Sequence, residues 1–171
     1  SLRRCPRLPH HTDKENSMTP IRLLWVDDQQ ANAEALVRRL EGLGYEVARV
    51  GSGEEALRYL DKDRSIDVLL LDVKMPGLDG LESLHRIKTL QLPVETIILT
   101  ADASIPTAVE AMRMGAWDYL LKPCDFTRLN ATIAAAAQRK RERERKILET
   151  HMRPYLTGGE KEALIASILA G

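Results

Sequence analysis

Between residues 21 and 122 the chain alternates short, almost wholly apolar runs with longer stretches whose apolar positions recur every three or four residues. The runs "IRLLWVDD" (21–28), "DVLLLDV" (67–73) and "VETIILT" (94–100) are near-continuous in Leu, Ile and Val, the pattern of strands buried on both faces. "YEVARV" (45–50) alternates instead, as a half-buried edge strand does, and "DYLLK" (118–122) supplies a fifth strand. In 30–44, Ala33, Leu36, Val37, Leu40 and Leu43 share one helical face, and Gly44 is the stop. Ser52 with Glu55 three residues later reads as a capping box for a short helix through Lys62. Further helices are predicted near 79–90, entered through Asp79, over 104–115 with Pro106 in the first turn, and from about Phe126 onward.

Strand–helix alternation of this kind predicts an α/β fold, a doubly wound five-stranded parallel sheet with helices on both faces. Such sheets gather their functional groups at the carboxyl ends of the strands. The ends here are polar. The first strand closes in Asp27 and Asp28, the third in Asp72, the fourth in Thr100, and the fifth in Lys122 followed by Pro123. Three carboxylates on one edge repel one another and would titrate upward if left bare. A divalent cation compensates them, and Mg2+ takes a few carboxylates plus water where phosphoryl groups are handled. Lys122 adds a mobile positive charge able to meet a phosphate, and Thr100 a hydroxyl. Met75, Pro76 and Gly77 turn the chain away after Asp72.

In this order, Asp27-Asp28, "LLLDVKMPGLDG", "TADAS" and "YLLKP" resemble the receiver domain of two-component response regulators. The resemblance implies the flavodoxin-like strand order 2-1-3-4-5, here with a long C-terminal helical extension. It implies that Asp72 is the phosphoacceptor and that Mg2+ is held by Asp27, Asp28, Asp72 and the backbone carbonyl of Lys74. Thr100 and Lys122 would contact the phosphoryl group, and Thr100 and Tyr119 would form the conformational switch. Pro123 would follow a cis peptide bond. The donor would be a sensor histidine kinase or a phosphotransfer protein, and the domain a self-modifying switch rather than a turnover enzyme. "PTAVEAMRMGAWDYLLKP" resembles receivers attached to AAA+ transcriptional activators, which implies an output domain and DNA reached indirectly. Two other strand-end chemistries fit less well. A haloacid-dehalogenase-like phosphatase needs an Asp-x-Asp pair that "WVDDQQ" lacks, and a flavodoxin-like cofactor binder needs a phosphate-cradling loop where Asp27-Asp28 would repel the phosphate.

Composition places these elements in a soluble globular class, with 44% hydrophobic and 29% charged residues. No apolar run approaches the roughly 20 residues that span a bilayer, so a cytoplasmic protein with no membrane association is expected. The two cysteines, Cys5 and Cys124, suggest neither a disulfide framework nor a zinc site. The zero net charge divides unevenly: residues 1–17 carry +2, residues 18–136 carry −5 and residues 137–171 carry +3. Residues 1–17, with the His10–His11 pair, read as a disordered or appended leader before Met18. Residues 18–137 read as the receiver and 138–171 as a charged helical extension toward an output region.

Within the last helix, Phe126, Leu129, Ile133 and Ala136 make the domain-facing stripe. "RKRERERK" (139–146) then reads either as a solvated face or as a signalling helix joining two protomers, with a homodimer through 104–152. The seam Ile133, Ala137, Lys140, Glu144, Ile147 and His151 is only half apolar, which makes for a weak coiled coil. No aromatics interleave with the basic run as nucleic-acid contact would favour. "YLTGGEKEALIASILAG" (155–171) predicts a second helix after Thr157. It is similar to the opening of a LuxR-type helix-turn-helix but too short to be a DNA-binding module.

Overall fold

A computed structural model of the chain describes residues 19–171 except Pro76 and Leu78. The leader, with Cys5, His10–His11 and Met18, and the loop residue Pro76 therefore lie outside the described residues. Five strands, β1 (Arg22–Val26), β2 (Glu46–Val50), β3 (Val68–Leu71), β4 (Glu95–Thr100) and β5 (Asp118–Leu121), form one parallel sheet in the order β2-β1-β3-β4-β5. Helices α1 (Gln30–Gly42), α2 (Gly53–Lys62), α3 (Gly80–Thr89), α4 (Ile105–Arg113) and α5 (Phe126–His151) follow the strands in turn, and α6 (Gly158–Ala170) closes the chain.

The apolar runs make the sheet for a physical reason. A strand covered on both faces has no polar position to alternate with, and Val68, Leu69, Leu70 and Leu71 are each at most 1% exposed. Alternate residues feed two cores. Leu24, Val26, Leu69, Leu71 and Ile98 pack with Ala56, Leu60, Leu84 and Ile87 on the side of α2 and α3. Leu23, Trp25, Leu70, Ile97 and Leu99 pack with Val37, Leu40, Leu129 and Ile133 on the side of α1 and α5. Each buried Leu or Ile contributes about 1.5–3 kcal/mol of transfer free energy, which outweighs any local propensity in so small a sheet. β2, the alternating run, is an edge strand with only Val50 buried.

Caps fix where the helices start. Asp79 accepts the Glu82 N–H at 2.8 Å, and Ser104 caps α4 with Pro106 in its first turn. The box read at Ser52 and Glu55 forms by halves: Ser52 accepts the Glu55 N–H, but the Glu55 carboxylate accepts from Gly51 rather than from Ser52. At α6, Thr157 and Glu160 make the full reciprocal box.

One glycine is fixed by close approach. The Gly80 N–H donates to the Val73 carbonyl at 3.0 Å, and a Cβ at Gly80 would lie 2.5 Å from Val73 Cα and 3.0 Å from the Asp72 carbonyl carbon, overlapping the Asp72 carbonyl oxygen as well. All three are backbone atoms and cannot swing aside. Gly80→Ala should therefore destabilise the protein by about 2 kcal/mol and displace the loop that carries Asp72. A urea midpoint equal to that of the parent would contradict this.

Candidate functional site

Parallel register lines up the strand ends. Val26 pairs with Leu71, and Leu71 with Ile98, so Asp27 and Asp72 leave the sheet at one level on adjacent strands. The ladder continues past them, with Asp72 N–H donating to the Val26 carbonyl at 3.0 Å and Lys122 N–H to that of Thr100 at 2.8 Å. Parallel strands thus bring Asp27, Asp72 and Lys122, 45 to 95 positions apart, to one edge.

Lys122 sits where the carboxylates converge. Its ammonium donates to Asp27 Oδ2 at 2.5 Å and to Asp72 Oδ2 at 3.2 Å. The other Asp72 oxygen, Oδ1, accepts from the Thr100 hydroxyl at 2.7 Å and from the Lys74 N–H at 3.0 Å. Asp72 is thereby held by three donors from three segments, with its side chain 12% exposed. Asp27 is buried, and its Oδ1 accepts the Gln29 N–H at 2.8 Å. Asp28 is exposed and its carboxylate has no hydrogen-bond or ion-pair partner among the described residues. The Lys74 side chain is exposed too. The Lys122–Pro123 peptide bond is cis.

Tyr119 is half-buried, and its hydroxyl donates at 2.7 Å to the carbonyl of Asp102, whose own N–H donates to Thr100 Oγ1 at 3.2 Å. A chain of hydrogen bonds therefore runs from Asp72 through Thr100 and the turn after β4 to Tyr119 on β5. Burial pushes the Tyr119 hydroxyl above its ordinary value, and the nearby Asp102 and Asp72 charges add to that.

Electrostatics at Asp27 reverse the expectation for a bare carboxylate cluster. Burial alone would raise its pKa, but the hydrogen bonds from Lys122 and Gln29 and the Lys122 charge together hold it below the ordinary 3.8. Lys122, in turn, is desolvated but held above its ordinary 10.5 by Asp27 and Asp72. A depressed carboxylate stabilises the fold above its unfolded pKa and loses that contribution as pH falls through the folded value; a raised ammonium stabilises below 10.5 and loses it as pH rises beyond. The pair thus contributes across the neutral range. Carboxyl NMR of Asp27 should give a midpoint below 3.8, with stability falling as acid passes through it, and a midpoint above 3.8 would contradict the pairing.

Among the described residues no three His, Cys, Asp or Glu side chains close around a metal position. The donor chemistry nonetheless suits Mg2+, which needs only one or two carboxylates and keeps several waters. Two hard-oxygen carboxylates converge on one cation here, and Asp28, next in the chain after Asp27, is exposed.

The strand-end pattern did not point to Asp67 and Glu95, both buried at the opposite edge of the sheet. Their only trace is an acid placed at the start of an otherwise apolar strand. Both receive the basic run of α5, which the sequence left between a solvated face and a dimer seam. Lys140 is 3% exposed and lies 3.3 Å from Asp67, Arg141 reaches Asp67 at 3.1 Å, and Arg143 reaches Glu95 at 2.6 Å. Ile133, Ala137 and Lys140 of the expected coiled-coil seam are buried within this chain. No helix among the described residues is long and apolar enough to cross a membrane.

Comparison with known proteins agrees with the fold. Residues 23–134 match the model of the response regulator receiver domain. The chain is 37% identical over 144 residues to the transcriptional regulatory protein ZraR of Klebsiella oxytoca, covering 84% of this chain and 32% of that one. It is 41% identical over 113 residues to the regulatory protein LuxO of Vibrio vulnificus, covering 66% and 25%. The chain thus spans a third or less of the length of these relatives. The crystal structure of a response regulator receiver domain protein from Clostridium thermocellum superposes with a TM-score of 0.67 at 35% identity, covering 71% of this chain and 97% of that one. With the sheet order and the family match in agreement, this chain belongs to the response regulator receiver domain family.

Proposed function

We propose that the chain is a phosphoryl-accepting switch in which Asp72 takes a phosphoryl group from the phosphohistidine of a sensor histidine kinase or phosphotransfer protein, or from a small acyl phosphate. The observation that carries this reading is the Lys122 ammonium bridging Asp72 and Asp27 at 3.2 and 2.5 Å, with Thr100 on the other Asp72 oxygen. An Asp72 oxygen forms the new bond to phosphorus as the phosphorus–nitrogen bond to the donor imidazole breaks, leaving an acyl phosphate that water later hydrolyses. Asp27, Asp28, Asp72 and the Lys74 carbonyl are the groups to hold Mg2+, which when bound neutralises charge on the phosphoryl oxygens. Lys122, mobile on its four-carbon stem, follows the charge from the carboxylates to the incoming phosphoryl oxygens.

The switch would use the hydrogen-bond chain already described. Thr100 passes its proton donation from Asp72 Oδ1 to a phosphoryl oxygen, and Tyr119 holds the turn through Asp102. Thr100 thus donates to Asp72 before transfer and to the phosphoryl group after it, and phosphorylation would shift the population between these two states. Residues 18–137 would act as the receiver unit and 138–171 as the extension toward an output domain, with DNA reached indirectly. Assembly as a homodimer through 104–152 and a cytoplasmic setting complete the proposal.

Incubation with acetyl phosphate and Mg2+ should place a hydroxylamine-labile phosphoryl group on Asp72 by mass spectrometry. No label, or label on another residue, would count against the site. Thr100→Ala should keep labelling but lose most of the change in sedimentation that beryllofluoride with Mg2+ produces in the parent chain. An undiminished change would remove Thr100 from the switch.

A further inference from the structure

The edge of the sheet opposite the proposed site holds two buried carboxylates, and both are taken by α5. Asp67 precedes β3 and is 3% exposed; Glu95 opens β4 and is 2% exposed. Asp67 accepts from Arg141 Nε at 3.3 Å and Nη2 at 3.1 Å, a two-pronged contact, while the Lys140 ammonium stands 3.3 Å away. Arg141 Nη2 also donates to the carbonyls of Thr19 and Pro20, and the Arg22 N–H donates to Asp67. Glu95 pairs with Arg143 at 2.6 Å and Arg139 at 3.4 Å, and Arg139 lies over the Trp117 ring, 5.1 Å from its centroid.

The helix beyond residue 137 thus touches the receiver chiefly through charge, since Lys140 is the only buried residue of α5 between Ala137 and Thr150. An ammonium or guanidinium is retained in a buried place only while its counter-charge is there. Burial already pushes Lys88 and Arg143, two of the cations around Glu95, below their ordinary values and Glu95 itself above its own. Lys140 also pairs with Glu144 at 2.7 Å, so removal of Asp67 chiefly strands Arg141 and removal of Glu95 chiefly strands Arg143, and each regains hydration by lifting the helix away. The α6 helix would go with it, because α6 is bound to α5, through Lys161 on the His151 carbonyl and Arg139 on the Gly171 carbonyl, and has no buried residue of its own.

We infer that Asp67 and Glu95 form an electrostatic latch that holds residues 138–171 against the amino-terminal edge of the sheet, with a docked and a released state of the α5–α6 hairpin. This goes beyond the phosphoryl chemistry proposed above and does not depend on it. Asp67 precedes β3 and Glu95 opens β4, the strands whose other ends lead to Asp72 and carry Thr100, so the latch grips two of the strands that position the proposed site.

Limited trypsin digestion tests the latch, since the docked segment is itself a row of trypsin sites. In the double variant D67N/E95Q, cleavage after Lys140 and Arg141 should speed up roughly tenfold or more, in step with the population of the opened helix. Trp117 emission should shift as Arg139 leaves its ring, while far-UV circular dichroism and resistance to cutting within 19–137 stay as in the parent. A control at the exposed pair Glu82–Arg86, E82Q, should change nothing. An unchanged rate after Lys140 in a folded D67N/E95Q overturns the inference. If that variant unfolds, R141Q/R143Q decides, because Lys140 and Arg139 still cover the carboxylates. Faster cutting after Lys140 with a folded receiver supports the latch; an unchanged rate, or loss of the whole fold in both variants, overturns it.

Discussion

Asp72→Asn is expected to abolish hydroxylamine-labile labelling by acetyl phosphate and Mg2+ while leaving the fold standing. The amide keeps the size of the carboxylate, and its oxygen can still accept from the Lys74 N–H and the Thr100 hydroxyl that now hold Oδ1. What is lost is the nucleophilic oxygen and the 3.2 Å pair to Lys122, which retains Asp27 at 2.5 Å. Removing one of two adjacent carboxylates also relieves their mutual repulsion. These effects oppose each other, so stability should stay within about 1 kcal/mol of the parent. Loss of labelling with an intact unfolding transition would locate the defect in the chemistry. Persistent labelling in this variant would end the assignment of Asp72.

Lys122→Ala should act on both stability and chemistry. It leaves Asp27, 2% exposed, facing Asp72 with no cation between them. Breaking a buried pair by removing one partner costs several kcal/mol in a dry site; with Lys122 30% exposed, water moderates this, and about 2 kcal/mol is expected. The carboxyl of Asp27, held low here by Lys122, should then titrate upward. Mg2+ should stabilise this variant more than the parent, since it would supply the missing charge. Phosphoryl transfer should slow by roughly two orders of magnitude, the scale seen when one preorganised electrostatic donor is removed. Urea unfolding with and without Mg2+, together with labelling rates, checks both halves. A variant as stable as the parent without Mg2+ would show that Lys122 does not hold the carboxylates together.

Much of the architecture is legible in the order of residues. Runs such as "VLLL" have no polar face, so they must lie inside a sheet covered twice, and parallel connection through helices follows. Asp79, Ser104 and Thr157 announce helix starts because a short side-chain oxygen satisfies backbone N–H groups that the helix leaves open. The strand-end residues Asp27, Asp72, Thr100 and Lys122 could be selected because register in a parallel sheet turns "last in its strand" into "neighbours at one edge".

Other features depended on partners distant in sequence. Nothing around Glu55 says that its carboxylate would turn to Gly51. Nothing around Gly80 says that the Asp72 and Val73 backbone would lie against it. The row of charges at 139–146 reads the same whether it faces water, a second copy or this chain's own sheet. The sequence by itself determined the strands, the helices and the edge where the polar strand ends meet, because these follow from local period and the geometry of parallel pairing. Only the tertiary structure decided that Lys122 lies between two carboxylates, that Tyr119 reaches the Asp102 carbonyl, and that the basic helix is seated on Asp67 and Glu95. Charge acts through space over distances that period along the chain does not encode, and its sign of benefit depends on which groups are buried together.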